Sequence, residues 1–238
     1  MLINNLVETH CHILPKVDDG AHDTETSLKM INRLERQGAK AIILTPHYYS
    51  DSISYNDFIR RRNGSYNHLK EALGDNDIRL IPAAEVYISD YLFRNENLDG
   101  ICIGNSRYAL IEHSFSASFS QEDYDRLLNL NYDYNIKPIL AHIERYSALM
   151  EDESLLDEYI RAGCLVQANI SSFAKSPRGI RKKLIKYLSS GKIHLIGSDC
   201  HNLTNRTPDY EEGIEVIIKK CGQEAVDRLE QNANMLIK

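Results

Sequence analysis

Short apolar runs alternating with amphipathic stretches predict a parallel α/β fold for this 238-residue chain. Three observations carry that reading. Seven apolar runs of strand length recur along the sequence. Helix-like stretches lie between most of them, several ended by glycine. Imidazole and carboxylate residues collect where the runs end, and parallel α/β folds build their sites at the C-terminal ends of strands. A closed barrel and an open doubly wound sheet both fit this pattern.

The elements follow in order. Leu6–His10 is the first strand. Thr24–Gln37 places Leu28, Ile31 and Leu34 on one helical face, and Gly38 stops it. Ala41–Thr45 (AIILT) is the second strand, followed by a polar stretch and a helix over about Tyr55–Leu73. Leu80–Glu85 is the third strand and Tyr108–Glu112 (YALIE) the fourth; a short helix and loops are expected between them. A helix over Gln121–Asn135 leads to the fifth strand, Pro138–His142 (PILAH). Glu153–Ala162 is helical, ended by Gly163, and Leu165–Asn169 (LVQAN) is the sixth strand. Ile180–Ser190 is helical, ended by Gly191, and His194–Ser198 (HLIGS) is the seventh. Helices near Tyr210–Lys220 and Glu224–Gln231 close the chain. No internal repeat or low-complexity tract interrupts this order, so a single domain over residues 1–238 is expected.

Composition narrows the function. Apolar residues make up 42% and charged residues 26%, as in ordinary globular proteins. A net charge of -6 argues against a nucleic-acid partner, which needs a basic surface to displace counterions. The N-terminus lacks a basic segment followed by an apolar run, and no stretch approaches the length of a membrane span. A cytoplasmic protein without membrane insertion is expected. Cys11, Cys102, Cys164, Cys200 and Cys221 are odd in number and widely spaced, so reduced thiols are the simplest reading. The sequence does not give the oligomeric state.

The chemistry gathers at strand ends. His10 and His12 end the first strand, and His47 follows the second. Glu85, Glu112 and His142 end the third, fourth and fifth, while Asp199 and His201 follow the seventh. In extended chain residues i and i+2 point the same way, so His10 and His12 can grip one ion together. Asp199 and His201 repeat that spacing, and in a closed barrel the first and last strands are neighbours. A single H-x-H is common by chance, but eight such groups spread over the strand ends are not. Imidazole with carboxylate and no required thiolate suits manganese, iron or zinc better than magnesium or calcium. Of the remaining histidines, His22 and His68 read as solvated and His113 as structural. His194 begins a strand on the opposite face. Tyr48 and Tyr49, just after His47, could stack on a substrate ring, although exposed loop tyrosines are the plainer reading.

These residues also carry a family resemblance. THCHILPKVDDG at 9–20, TPH at 45–47, AAEVYI at 83–88, LIEHSF at 110–115, ILAHIERY at 139–146 and GSDCHN at 197–202 resemble the polymerase and histidinol phosphatase (PHP) superfamily. Within it the motifs are most similar to the bacterial manganese-dependent protein tyrosine phosphatases of the CpsB/CapC family, which act in capsule and exopolysaccharide synthesis. The motifs are in order and span nearly the whole chain. The resemblance implies a distorted seven-stranded (β/α) TIM-like barrel, one PHP-type domain, and three divalent metal ions, manganese first with iron or zinc as alternatives. Carried over by motif, His10, His12, Glu85 and Asp199 would hold one ion. Glu85, bridging, would hold a second with Glu112 and His142. Asp19, His47 and His201 would hold the third, Asp19 being preferred to Asp18 because the family's VDDG motif uses its second aspartate. Arg145 and Arg206 would bind phosphate. The implied substrate is a phosphotyrosine protein, specifically a bacterial tyrosine autokinase. Four stretches depart from the family pattern: Glu8-Thr9 before the first histidine, His113 within LIEHSF, QANISSF at 167–173 and NRTPD at 205–209. None removes an implied ligand.

The expected reaction is direct hydrolysis by a metal-activated hydroxide, with metal and arginines neutralising the phosphoryl oxygens. Phenolate leaves readily, so a strong general acid is dispensable, although His201 is available to protonate it. Two other readings stand beside it. A small-molecule phosphatase of the histidinol-phosphatase type would share the ligand residues. Cys200 and Arg206 have the C-x5-R spacing of cysteine-dependent phosphatases, but the intervening HNLTN lacks the glycines such a phosphate cradle needs. A phosphotyrosine-binding module without turnover fits poorly with Asp199, His201 and both arginines intact.

Overall fold

The structure, a computed structural model, describes residues 5–238. The first four residues of the expected single domain therefore lie outside the described residues. Its elements run β1 (Leu6–Cys11), α1 (Thr24–Arg36), β2 (Ala39–Leu44), β3 (His47–Tyr49), α2 (Tyr55–Leu73), β4 (Arg79–Pro82) and β5 (Glu85–Tyr87). They continue through β6 (Tyr108–Glu112), α3 (Gln121–Tyr134), β7 (Lys137–Leu140), α4 (Ser147–Glu151), α5 (Glu153–Arg161) and β8 (Leu165–Asn169). The chain ends with α6 (Ser172–Lys175), α7 (Arg178–Ser189), β9 (Leu195–Gly197), α8 (Glu211–Cys221) and α9 (Gln223–Met235).

Every strand pairing is parallel. β2 and β3 are two lengths of one stave, and β4 and β5 of another, joined across by Ala83 N–H donating to Leu44 O and Glu85 N–H donating to Pro46 O. The third strand is thus two segments rather than the unbroken Leu80–Glu85 the pattern predicts. Pro46 and Pro82 stand at the breaks, where each lacks the N–H a continuous ladder would use. The remaining strands complete a seven-stave series. It closes on itself where Asp199 N–H donates to His10 O at 2.7 Å and His12 N–H donates to Cys200 O at 2.8 Å. Of the two topologies open at the level of periodicity, the structure is the closed, distorted (β/α)7 barrel. The tract between β5 and β6 carries short 3-10 turns at Leu92–Arg94 and Asp99–Ile101.

Alternation along the strands sorts their side chains into two apolar clusters, as period two requires. Val7, Ala41, Ile43, Ile81, Leu110, Ile139 and Leu195 pack inside the barrel. Their neighbours Ile42, Leu44, Leu80, Ile111, Leu140, Val166 and Ile196 face outward onto helical residues such as Leu34, Leu69, Leu127, Leu156 and Ile214. Helix ends follow local chemistry. The Asp23 carboxylate accepts the Thr26 N–H at the start of α1, and Ser120 with Asp123 forms a reciprocal cap on α3. Gly163, after α5, adopts φ 95°, a left-handed turn that a side chain would strain.

Candidate metal centre

The polar mouth of the barrel is a continuation of its inward-facing rows. Ile81, Ala83 and Glu85 are alternate residues, as are Leu110 and Glu112, and as are Leu195, Gly197 and Asp199. Asp199 sits past β9 in a left-handed conformation (φ 53°), but Glu85 and Glu112 point into the mouth by simple parity. His10 and His12 do not. Val7 faces inward, and an odd step of three residues reaches His10. The register supplies the correction: Glu8 pairs with Ile42 but Cys11 with Leu44, so β1 carries an extra residue in this interval. That bulge turns both imidazoles to the mouth. His142 also breaks parity after Ile139 and Ala141. It is redirected by a left-handed backbone (φ 30°, ψ 58°), with its N–H donating to Gln167 Oε1 at 2.6 Å. Such a conformation costs roughly 1–3 kcal/mol and persists only where the surroundings enforce it.

The side chains converge tightly. His10 Nε2, His12 Nε2 and His47 Nδ1 each lie 3.1 Å from Glu85 Oε2. Asp199 Oδ1 is 3.5 Å from His10 Nε2 and 3.4 Å from His12 Nε2. His142 Nε2 sits 2.9 Å from Glu85 Oε1 and 3.4 Å from Glu112 Oε1. Asp19 Oδ1 is 3.4 Å from His201 Nε2 and 3.7 Å from His47 Nε2. Three overlapping groups result, within each of which the ligand atoms lie within 4.8 Å of one another: His10, His12, Glu85 and Asp199; His47, Glu85 and Glu112; and His12, Asp19, His47 and His201. The structure thus brings together all nine residues that sequence and resemblance single out. In the second group His47 stands where motif carry-over places His142, and His142 lies beside the same two carboxylates.

The imidazoles are oriented from behind. His12 Nδ1 donates to Asp18 Oδ2 at 2.7 Å, His201 Nδ1 to the Asp199 carbonyl at 3.0 Å, and His10 Nδ1 faces Gln167 Oε1 at 3.4 Å. A proton held on Nδ1 leaves the Nε2 lone pair aimed at the centre, the usual device for a metal-binding histidine. The residues fit divalent ions on a further ground. Glu85 Oε2, His47 Nδ1 and His201 Nε2 are buried and make no hydrogen bond, although other lone-pair atoms surround them. Buried carboxylate oxygens and imidazole nitrogens clustered with unmet hydrogen-bonding capacity make a donor set that suits a divalent cation.

Charge within the centre is strongly redistributed. Burial opposes ionisation of Glu85 and Asp199, but the His10 imidazole and its neighbours hold both carboxyls well below their ordinary range. Burial also opposes the His12 imidazolium, and the Asp18 carboxylate overrides it. His201 is pushed down to about 3 by burial and by His12, which keeps its ring neutral.

Asp18 was not separable from Asp19 by spacing. Asp19 is two-thirds exposed at the mouth, whereas Asp18 is buried, accepting from His12 Nδ1, from His47 N at 2.9 Å and from Gly20 N at 3.0 Å. The loop can fold back so closely because residue 20 is glycine: a Cβ there would lie 2.1 Å from His12 O. Gln167 and Asn169 are further residues that spacing does not reveal; Asn169 Nδ2 donates to Asp199 Oδ2 at 2.9 Å. Tyr48 is buried and stacks on Phe58 with ring centres 4.6 Å apart, so only Tyr49 remains at the mouth. His113 is buried away from the centre, and His22 and His68 are exposed.

Arg145 Nη2 and Arg206 Nη2 donate to the two Asp199 oxygens at 2.5 Å and 2.7 Å. Both guanidinium groups line a cleft of about 110 Å³ beside the centre. A second, larger cleft of about 470 Å³ opens past Asp19, His47 and Tyr49. Cys200 is fully buried, packed in the outer apolar layer while Asp199 and His201 face the mouth, and Arg206 serves Asp199 instead. That arrangement offers no thiolate to a phosphate. Among the described residues no helix is long and apolar enough to cross a membrane.

Comparison with known proteins agrees with this geometry. The family model "Capsular polysaccharide synthesis, CpsB/CapC" matches residues 6–238. The tyrosine-protein phosphatase CpsB of Streptococcus pneumoniae is 30% identical over 94% of this chain and 94% of its own length. The tyrosine-protein phosphatase YwqE of Bacillus subtilis is 30% identical over 98% of this chain and 92% of its own. A crystal structure from work on YwqE and CpsB, described there as unique metal-dependent tyrosine phosphatases, superposes with a TM-score of 0.83 at 26% identity, covering 98% of this chain and 94% of that one.

Proposed function

The chain belongs to the capsular polysaccharide synthesis family CpsB/CapC, and from that premise we propose how its residues remove phosphate from tyrosine. It is a metal-dependent protein-tyrosine phosphatase. We assign three divalent ions to it, manganese before iron or zinc. His10, His12, Glu85 and Asp199 hold the first. Glu85, Glu112 and His142 hold the second, with His47 Nδ1 also in reach. Asp19, His47 and His201 hold the third. The observation that supports this most directly is the convergence of these side chains into three overlapping groups with unpartnered buried polar atoms.

Bound there, the ions would supply an activated water near neutral pH and neutralise charge on the phosphoryl group. The chain's own residues bind and orient. Arg145 and Arg206 present forked donors to the non-bridging oxygens, and Asp199 sets the direction of both guanidiniums. Phenolate, with a pKa of about 10, leaves without a strong acid. His201, with Nδ1 donating to a carbonyl and Nε2 turned to Asp19, fits a ligand better than a proton donor. Residues 1–238 act as one phosphoesterase domain. The physiological substrate we propose is a tyrosine autokinase of a polysaccharide synthesis system, met in the cytoplasm, where the five free cysteines would stay reduced.

The test is hydrolysis of a phosphotyrosine peptide by chelator-stripped protein, with and without added manganese. Activity that vanishes on stripping and returns with manganese is expected. Full activity in stripped protein would overturn the assignment.

A further inference from the structure

The mouth of the barrel is divided by chemistry. Aromatic side chains occupy the rim over three adjacent staves: Tyr49 at the end of β3, Tyr87 at the end of β5 and Phe115 just past β6. Two cations stand on the other side, Arg145 past β7 and Arg206 past β9. The Tyr49 ring lies 5.2 Å from His47 and 5.7 Å from Tyr87. The Phe115 ring lies 5.8 Å from His142 and 6.4 Å from Tyr146. Five large apolar side chains are exposed among the described residues, and two of them, Tyr49 (38%) and Phe115 (55%), stand at this mouth. Exposure alone is ordinary for an apolar side chain; what sets Phe115 apart is its place between His142 and the Arg145 guanidinium.

Arg145 joins the two halves of the rim. Its guanidinium carbon is 5.5 Å from the Phe115 ring centre, while Nη2 reaches Asp199. A phosphate ester held by Arg145 has the Phe115 ring within reach of its leaving group. A phenyl ring there can pack on Phe115 and still leave its phosphate at the arginines. An alkyl ester has no comparable surface to offer.

We propose that Phe115 is the specificity-determining residue for aryl phosphates, packing against the phenyl ring of phosphotyrosine. This rests on the phosphatase reading above. The test compares binding of phenylphosphonate and methylphosphonate, by calorimetry, to manganese-loaded wild-type protein and to Phe115→Ala, Phe115→Leu and Tyr49→Ala, each checked for metal content. Phe115→Ala should weaken phenylphosphonate roughly tenfold, the scale of one lost aromatic contact with its buried area. Methylphosphonate should move less than twofold, and Phe115→Leu should recover part of the loss. Equal effects on both ligands, no effect on either, or a loss of aryl preference in Tyr49→Ala instead would overturn the proposal. Turnover of a phosphotyrosine peptide by the wild type is measured in parallel. Its absence would sink the parent reading, whereas active wild type with an unchanged ligand preference in Phe115→Ala would sink only this one.

Discussion

Replacing Asp18 by asparagine should damage metal binding without removing a ligand. Asp18 Oδ2 accepts the Nδ1 proton of His12 at 2.7 Å, and its two oxygens also accept backbone N–H groups of His47 and Gly20. Asparagine has one acceptor oxygen: set toward His12 and the His47 N–H it loses the charge and turns its NH2 on the Gly20 N–H, and set toward Gly20 it turns the NH2 on both His12 Nδ1 and the His47 N–H. In the second setting two donors face each other at His12, and the imidazole relieves that by moving its proton to Nε2, the atom that faces Glu85. A charge-assisted hydrogen bond of this kind contributes roughly 1.5–3 kcal/mol. Loss of an outer carboxylate behind a metal-binding histidine typically lowers affinity about 10–100-fold, or roughly 1.4–2.7 kcal/mol. The two figures agree, so manganese affinity should fall by one to two powers of ten, as roughly estimated from these contributions. The assay is competition with a chromogenic chelator on metal-free protein, beside a denaturant titration. Affinity within threefold of wild type in a folded Asp18→Asn variant would refute the orienting role.

Cys200→Ser should keep phosphotyrosine hydrolysis after manganese loading, while the hydroxyl buried among apolar neighbours lowers stability by about 1–3 kcal/mol; loss of turnover in a folded variant would contradict this. His113 is held near 4 by burial, so it is neutral in the fold, and the unfolded chain binds the extra proton. His113 by itself should therefore take about 3 kcal/mol from metal-free protein as pH falls from the unfolded value near 6.5 toward 4, and His113→Phe should flatten the slope by that share in pH-dependent denaturant titrations. Gly197→Ala would set a Cβ 2.6 Å from His10 Cβ and 3.0 Å from His10 N, so it should cost about 1–3 kcal/mol of stability and weaken manganese binding. Gly179→Ala, in α7 with no atom within 4 Å of the added carbon, should instead stabilise by roughly 0.5–1 kcal/mol.

What spacing could reveal here is what local periodicity carries. α2, β6 and β8 span the residues their apolar pattern predicts, because each is bounded by its own chemistry. The broken second and third staves were less legible: Pro46 and Pro82 mark the breaks, but the short lengths beyond them, β3 and β5, are held by neighbouring strands. At the site, His10 and His12 are recognisable as a pair because extended chain repeats every two residues. That the pair faces inward depends on the bulge after Glu8, and no spacing records it. His142 likewise reaches the centre through a left-handed turn fixed by Gln167, 25 residues away in sequence. Asp18 and Asp19 differ by burial alone, which adjacent identical residues cannot display. Tyr48 and Tyr49 are the same case, one packed on Phe58 and the other at the mouth.

Barrel closure and the arrangement of the site rest on the same contacts. The seam between β1 and β9 is where both ends of the sequence supply proposed ligands, and the groups that hold it are those residues' immediate neighbours. Glu8 Oε1 accepts from His10 N at 2.9 Å and from Ser198 N at 3.0 Å, tying the strands together one residue before the pairs begin. The Thr9 hydroxyl donates to Ile196 O across the same seam. His10 O and His12 N then bond to Asp199 N and Cys200 O, so the backbones of the proposed ligand residues themselves complete the ladder. This explains why residue 197 is glycine, since any side chain there would hold the strands apart at His10. It also gives metal binding a direct purchase on stability. An ion gripped by His10, His12 and Asp199 crosslinks the first strand to the last, and ligand binding to the folded state alone raises stability by mass action. The carboxylates that crowd this seam repel one another, so the cation both completes the chemistry and neutralises the charge that closure concentrates there.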